Sequence, residues 1–213
     1  RRVVLKTPKA TCRRASEVLL KTSTFIRNLP SFYHMPWEYQ FVLIQQNWAP
    51  LFVLVMAQDG VDFDLREIPD TSLLKKILLS QSLTAMNELG SSSAGAFLAK
   101  VQKMKNLLWK FWDLDISAKE YAYLKGIILF NSECCVPKCL PYVQTVQQEA
   151  QKALMEFISA MFHGSLGRFA WILQLITSLR DIDADAIEEL FFRPIPGEAT
   201  LNVLLIETRY IKP

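Results

Sequence analysis

Between Phe41 and Ala57 the chain is apolar at nearly every position, interrupted only by Gln45, Gln46 and Asn47 among apolar neighbours. A helix that is hydrophobic nearly all round sits in the middle of a core, so this run predicts a long central helix over 37–59. Pro50 inside it removes a donor and is expected to kink it. Gly60 is its stop. Upstream, Cys12, Ala15, Leu19, Thr22 and Ile26 recur at helical spacing. They predict a helix over 11–28 capped by Thr11, with Pro30 and Pro36 setting a loop after it. Val61, Phe63 and Leu65 alternate with Asp62, Asp64 and Arg66, which is the period of a half-buried strand and the one strand region predicted. Asp70, Thr71 and Ser72 can cap a short helix over 73–79. The stretch 80–96 contains GSSSAGA, a linker composition.

The second half reads as helices throughout. One apolar face predicts a helix over 97–112. Ser117 and Glu120 form a capping box that opens a helix over 118–130. A loop over 131–141 precedes two long helices, 142–162 and 166–180, separated at His163-Gly164. Short helices are expected at 185–192 and 200–209. Many helices with one small hairpin imply an all-α core in layers. The chain divides into an N-terminal extension, 1–10, and one domain, 11–213.

Composition narrows the function. The 213 residues are 51% hydrophobic and 21% charged, with 7 Gly, which is globular rather than disordered. A net charge of +3 with scattered Lys and Arg gives no footprint for direct DNA binding. The apolar runs fall short of a membrane span, and the N-terminus lacks the apolar core of a signal peptide. The cysteines Cys12, Cys134, Cys135 and Cys139 lack paired metal-ligand spacing, so they read as free thiols in a reducing compartment. No metal or cofactor is expected.

Nothing points to catalysis. Asp181, Asp183 and Asp185 open like a calcium loop, but Ala186 and Phe192 stand where that loop needs Gly and Glu. His34 and His163 are isolated in sequence from any acid–base partner. Phosphate and dinucleotide fingerprints and the nucleophile-elbow motif are missing from the sequence. Trp109, Phe111 and Trp112, with Met104 and Leu108 at helical spacing, read as core rather than as a stacking platform.

The segment FIRNLPSF, followed by Gln40, Leu43 and Ile44, resembles the signature of nuclear-receptor ligand-binding domains. Further stretches are similar to the subgroup that lacks a DNA-binding domain, the small heterodimer partner and DAX-type orphan receptors. These are ATCRRASEVLLKT, NWAPLF, AQD, SLLKKILL, ISAKEYAYLKG, ILFN and ELFFRPI. LLKKILL and NLPSF lean to the first branch, and VLLKT, NWAP and KEYAYLKG to the second; the balance favours the small heterodimer partner. The resemblance implies a three-layer antiparallel helical sandwich with one small β-hairpin. It implies an orphan receptor that acts as a transcriptional corepressor in the nucleus, and also in the cytoplasm, and not an enzyme. Its partners would be ligand-binding domains of other nuclear receptors and corepressor proteins, in a hetero- or homodimer whose choice the sequence leaves open. The alternative is a receptor domain that responds to a small lipophilic ligand.

The same resemblance names candidate residues. Leu74, Ile77 and Leu78 form an L-x-x-I-L ridge on a helix, suited to docking in the coactivator groove of another receptor. Leu201, Leu204 and Leu205 form a second such box, expected to close over the chain's own groove. Arg27 and Glu207 align with the family's charge clamp, in which a cation and an anion complement the dipole of a docked helix. Phe25, Phe41, Trp48, Phe52 and Met56 are expected to fill the interior where a ligand would sit. There are departures. Tyr39 stands in place of the usual Asp, and Thr208 and Arg209 stand where apolar residues belong, which argues against a ligand-driven activation switch. Only RRVVLKTPKA precedes the signature helix, where the family carries a further helix; the apolar face such a helix would cover is expected to receive a corepressor helix.

Overall fold

The computed structural model describes residues 2–68, 85–134, 137–163 and 165–192. Among them are eight α-helices and one antiparallel strand pair. The strand β1 (Arg2–Leu5) leads into α1 (Pro8–Arg27), α2 (Pro30–Tyr33) and α3 (Trp37–Gln58), then β2 (Leu65–Ile68). The helices α4 (Ala85–Asp113), α5 (Ala118–Leu129), α6 (Leu140–Met161), α7 (Leu166–Arg180) and α8 (Ala184–Phe191) complete the fold. The central helix is α3, which packs against α1, α4, α5 and α7. From Asn47 to Ala57 each of its residues is buried, as an all-round apolar helix requires. The helix runs through Pro50 as one element.

Several predicted boundaries move for physical reasons. α1 starts at Pro8 rather than after Thr11. Proline lacks the N–H that a first helical residue cannot use anyway, and Thr11 is a buried residue of the second turn. The strand starts at Leu65 rather than Val61. Val61 and Phe63 are buried and Asp62 and Asp64 exposed, so the alternation was real. However, the Phe63 carbonyl accepts from Lys105 Nζ instead of a strand partner. β2 pairs with β1 in the register Arg2↔Ile68 to Leu5↔Leu65, and Leu5 is buried.

The linker expected at GSSSAGA is a correction, because α4 runs through it. Extending an existing helix costs far less than nucleating one, which offsets about 1 kcal/mol per glycine. The Asn131–Pro141 stretch is not all loop: a 3-10 turn spans Ser132–Cys134. The short helices expected at 73–79 and 200–209 lie outside the described residues.

The layers are joined by polar contacts as well as apolar ones. Asn47, buried on α3, donates from Nδ2 to the carbonyls of Leu43 at 3.0 Å and Leu129 at 3.3 Å. Gln147 on α6 donates to the Ile127 carbonyl at 3.0 Å. Gly126 on α5 lets α6 approach closely, since a Cβ there would meet Ala150 Cβ at 3.4 Å.

Candidate partner-binding surface

The signature turn is built by the residues that define it. α1 ends with Arg27 in its last turn. Pro30 then restarts the chain as the first residue of α2. Phe32 is buried and meets the Phe130 ring edge-on at 6.3 Å. Gln40 Nε2 donates to the carbonyls of Tyr33 at 3.1 Å and Met35 at 2.8 Å. Tyr142 on α6 donates its hydroxyl to the Ser31 carbonyl at 2.6 Å. The turn is therefore held from inside by Phe32, from α3 by Gln40 and from α6 by Tyr142.

Large apolar side chains near this turn are exposed among the described residues. Leu20, Tyr33, Trp37 and Phe41 are large hydrophobics exposed on α1, α2 and α3. Trp37 and Phe41 lie one turn apart on α3, with ring centres at 5.5 Å. On α1, Leu20, Thr24 and Arg27 fall on one face at helical spacing. An exposed apolar face beside a helix-end cation has the chemistry to receive an amphipathic helix and hold its C-terminus.

Phe41 is a correction to the predicted interior set. Continuous burial of α3 starts only at Asn47, and Phe41 belongs to the end that emerges toward solvent. Of the other members, Trp48, Phe52 and Met56 are buried, and Phe25 is half-buried under Lys125 Nζ at 5.2 Å. Trp109 is a second correction: it is more than half exposed. Its ring meets Trp112 at 5.1 Å, and Trp112 turns inward to donate to the Ala57 carbonyl at 2.9 Å. Phe111 is fully buried. The ridge Leu74, Ile77 and Leu78, the box Leu201, Leu204 and Leu205, and the clamp residue Glu207 lie outside the described residues.

Two features escaped the sequence reading. The first is an aromatic cluster in the interior. Phe52 on α3 lies 5.9 Å from Phe191 and 5.8 Å from Phe192, and Phe63 lies 5.2 Å from Phe191. The FF pair in ELFFRPI was the available signal. The second is a buried ion pair. Arg168 donates to Glu120 through Nε at 2.7 Å and a terminal nitrogen at 2.8 Å, and to the Leu114 carbonyl at 2.8 Å. Burial pushes the Glu120 carboxyl up, but hydrogen bonds from Arg168 and from the Ser117 amide and hydroxyl outweigh it and hold it below the usual range. The capping box was legible; its partner 48 residues away was not.

The acidic run at Asp181 is a helix cap. Asp183 accepts from the Ala186 amide at 3.0 Å and pairs with Lys100. Among the described residues no His, Cys, Asp and Glu cluster could hold a metal. His34 is exposed beside the Tyr33 ring, and His163 is exposed in the turn after α6.

The fold is that of a layered helical receptor-type domain with one small β-hairpin. The ligand-binding domain model of nuclear hormone receptors matches residues 5–195. The chain belongs to the nuclear hormone receptor family, a family of non-enzymatic regulators of transcription. It is 42% identical to rat nuclear receptor subfamily 0 group B member 2, over 96% of this chain and 79% of that protein. It is 38% identical to pig subfamily 0 group B member 1, over 97% of this chain and 47% of the relative. These are the two branches the sequence pointed to, with the lean toward the first retained. The ligand-binding domain of fruit-fly Ultraspiracle has the same fold, at a TM-score of 0.65 and 22% identity, covering 96% of this chain and 81% of that one. Membership supports interaction with other nuclear receptors and action in the nucleus.

Proposed function

We propose that this chain is a transcriptional corepressor that works by protein contact. It docks in the coactivator groove of other nuclear receptors through a helix carrying Leu74, Ile77 and Leu78, and it recruits corepressor proteins, in the nucleus and also in the cytoplasm. The observation that supports this reading over ligand sensing is the aromatic packing among the described interior residues. Trp48, Phe52 and Met56 are buried, and Phe52, Phe63, Phe191 and Phe192 pack ring against ring. A ligand site needs an enclosed apolar volume of some ~300 Å³ or more, and these rings occupy part of the interior between the described helices. Leu201, Leu204 and Leu205 close over the chain's own surface, with Arg27 and Glu207 as its charge clamp.

The test is competition. A labelled L-x-x-L-L coactivator peptide is bound to a receptor ligand-binding domain, and this chain is titrated in. Saturable displacement is the expected result. No displacement at concentrations where an unlabelled peptide competes would refute groove docking. A lipophilic compound that raised the melting temperature at near-stoichiometric concentration would favour the ligand-responsive alternative.

A further inference from the structure

Between α4 and α7 runs a groove of about 400 Å³, lined by Gln102, Lys103, Asn106, Leu107 and Lys110 of α4 and by Ser178 of α7. The two helices are antiparallel. Arg168, near the start of α7, donates to the Leu114 carbonyl just past α4, and Lys103 lies 3.9 Å from Asp181 just past the end of α7. Leu107 is buried and forms the floor, while Gln102, Lys103, Asn106 and Lys110 are exposed. The lining holds two lysines and no carboxylate. Lys103 and Asp181 are both more than half exposed, so that long contact leaves the lysine charge largely unspent. Lys110 has no ion-pair partner among the described residues. Gln102 donates to Asn106 Oδ1 at 3.1 Å, which leaves the Asn106 Nδ2 free to donate at the groove. Lys103 and Lys110 stand seven residues apart on one face of α4, roughly 10.5 Å along its axis. On α7, Trp171 lies two turns before Ser178 on the same side, and it is 60% exposed. Because the helices are antiparallel, this ring stands toward the Lys110 end. An exposed tryptophan beside a charged groove is the kind of anchor that partner sites use.

We propose that the α4–α7 groove receives an acidic amphipathic helix of a partner protein, with two carboxylates meeting Lys103 and Lys110 and the apolar residues between them resting on Leu107 and Trp171. Carboxylates seven residues apart on a helix repeat the lysine spacing, so both pairs form in one register. A second copy of this chain is a poorer occupant. A two-fold contact sets a face against itself, which here would bring lysines toward lysines. The groove is separate from the ridge Leu74, Ile77 and Leu78, and the proposal does not depend on that ridge.

The folded chain is titrated at low salt into a fluorescein-labelled, alanine-based helical peptide that carries two glutamates seven residues apart with leucines between them, and polarisation is read. Saturable binding is expected, weakening as salt rises and at least tenfold weaker when both glutamates are replaced by glutamine. Lys103→Gln/Lys110→Gln should weaken it at least tenfold and Trp171→Ala several-fold, while Lys119→Gln/Lys152→Gln leaves it unchanged. Lys103 is 56% and Trp171 60% exposed, so these variants keep the fold, which melting curves verify. No saturable binding, equal binding of the glutamine peptide, or indifference to Lys103→Gln/Lys110→Gln overturns the proposal. So does a concentration-dependent dimer of this chain that the same lysine and tryptophan variants abolish, which would give the face to a second copy.

Discussion

Arg168→Met should cost this domain about 3 kcal/mol. The guanidinium donates twice to Glu120 at 2.7 and 2.8 Å and once to the Leu114 carbonyl at 2.8 Å. Glu120 is fully buried and Arg168 is 12% exposed, so water cannot replace what the substitution removes. Breaking one partner of a buried pair costs roughly 3–5 kcal/mol, because the other charge is left uncompensated. The lower end applies here, since Glu120 keeps the Ser117 amide at 2.8 Å and the Ser117 hydroxyl at 2.9 Å. For a chain of this length about 3 kcal/mol corresponds to a fall of roughly 6–12 °C in melting temperature. The pH dependence tests the cause. The folded Glu120 carboxyl lies below its unfolded value. Its stabilisation is therefore present above the unfolded value and lost as pH falls through the folded one. In the variant the Arg168 hydrogen bonds and charge are gone while burial and the two Ser117 hydrogen bonds remain, so the folded carboxyl moves up toward or past its unfolded value. The stability gap between wild type and variant should be full at pH 7 and narrow steadily below about pH 4.5. Adding Glu120→Gln should recover part of the loss, because glutamine can still serve the capping box. Urea unfolding monitored by circular dichroism reads all of this. A gap below about 1 kcal/mol at pH 7, the worth of an exposed pair, or a gap constant down to acid pH, would refute the reasoning.

Two further substitutions probe the interior, with the same unfolding assay. Asn47→Ala removes two donated hydrogen bonds and strands the buried carbonyl of Leu129, for an expected loss of about 1–3 kcal/mol; no change would mean that α3 and α5 are held by apolar packing alone. Phe52→Ala opens the aromatic cluster at a fully buried ring, for an expected loss of about 3–5 kcal/mol, and the space it creates should let a small apolar compound restore part of the melting temperature.

Local signals carried far in this chain. The capping box at Ser117 and Glu120 marks the start of α5 because both of its hydrogen bonds are made within four residues. α7 runs over the residues its periodicity predicts, and Gly60 ends α3 with φ of 64°. What failed was non-local. β1 has no signature of its own, since RVVL is a strand only because Leu65–Ile68 lies beside it. Arg168 looks like any helix cation until α5 brings Glu120 to it. Phe41 and Trp109 show a different limit. On α3, apolar nearly all round, no period tells which ring faces out; on the amphipathic α4, Trp109 lies at the edge of the buried face of Val101, Met104, Leu108 and Phe111; both rings face solvent. The signature turn was legible as a motif, but its mechanics were not. That Gln40 holds two carbonyls of the loop and Tyr142 a third depends on where α3 and α6 come to lie.

The central claim is that the helix carrying Leu74, Ile77 and Leu78 docks in other receptors. The most direct measurement is the affinity of this chain for a panel of receptor ligand-binding domains, wild type against Leu74→Ala/Leu78→Ala, with melting curves establishing that the double variant stays folded. The account predicts selective binding at about micromolar affinity or tighter, weakened at least about tenfold in the variant, which is a loss of about 1.4 kcal/mol or more. Unchanged affinity in a folded variant would contradict it.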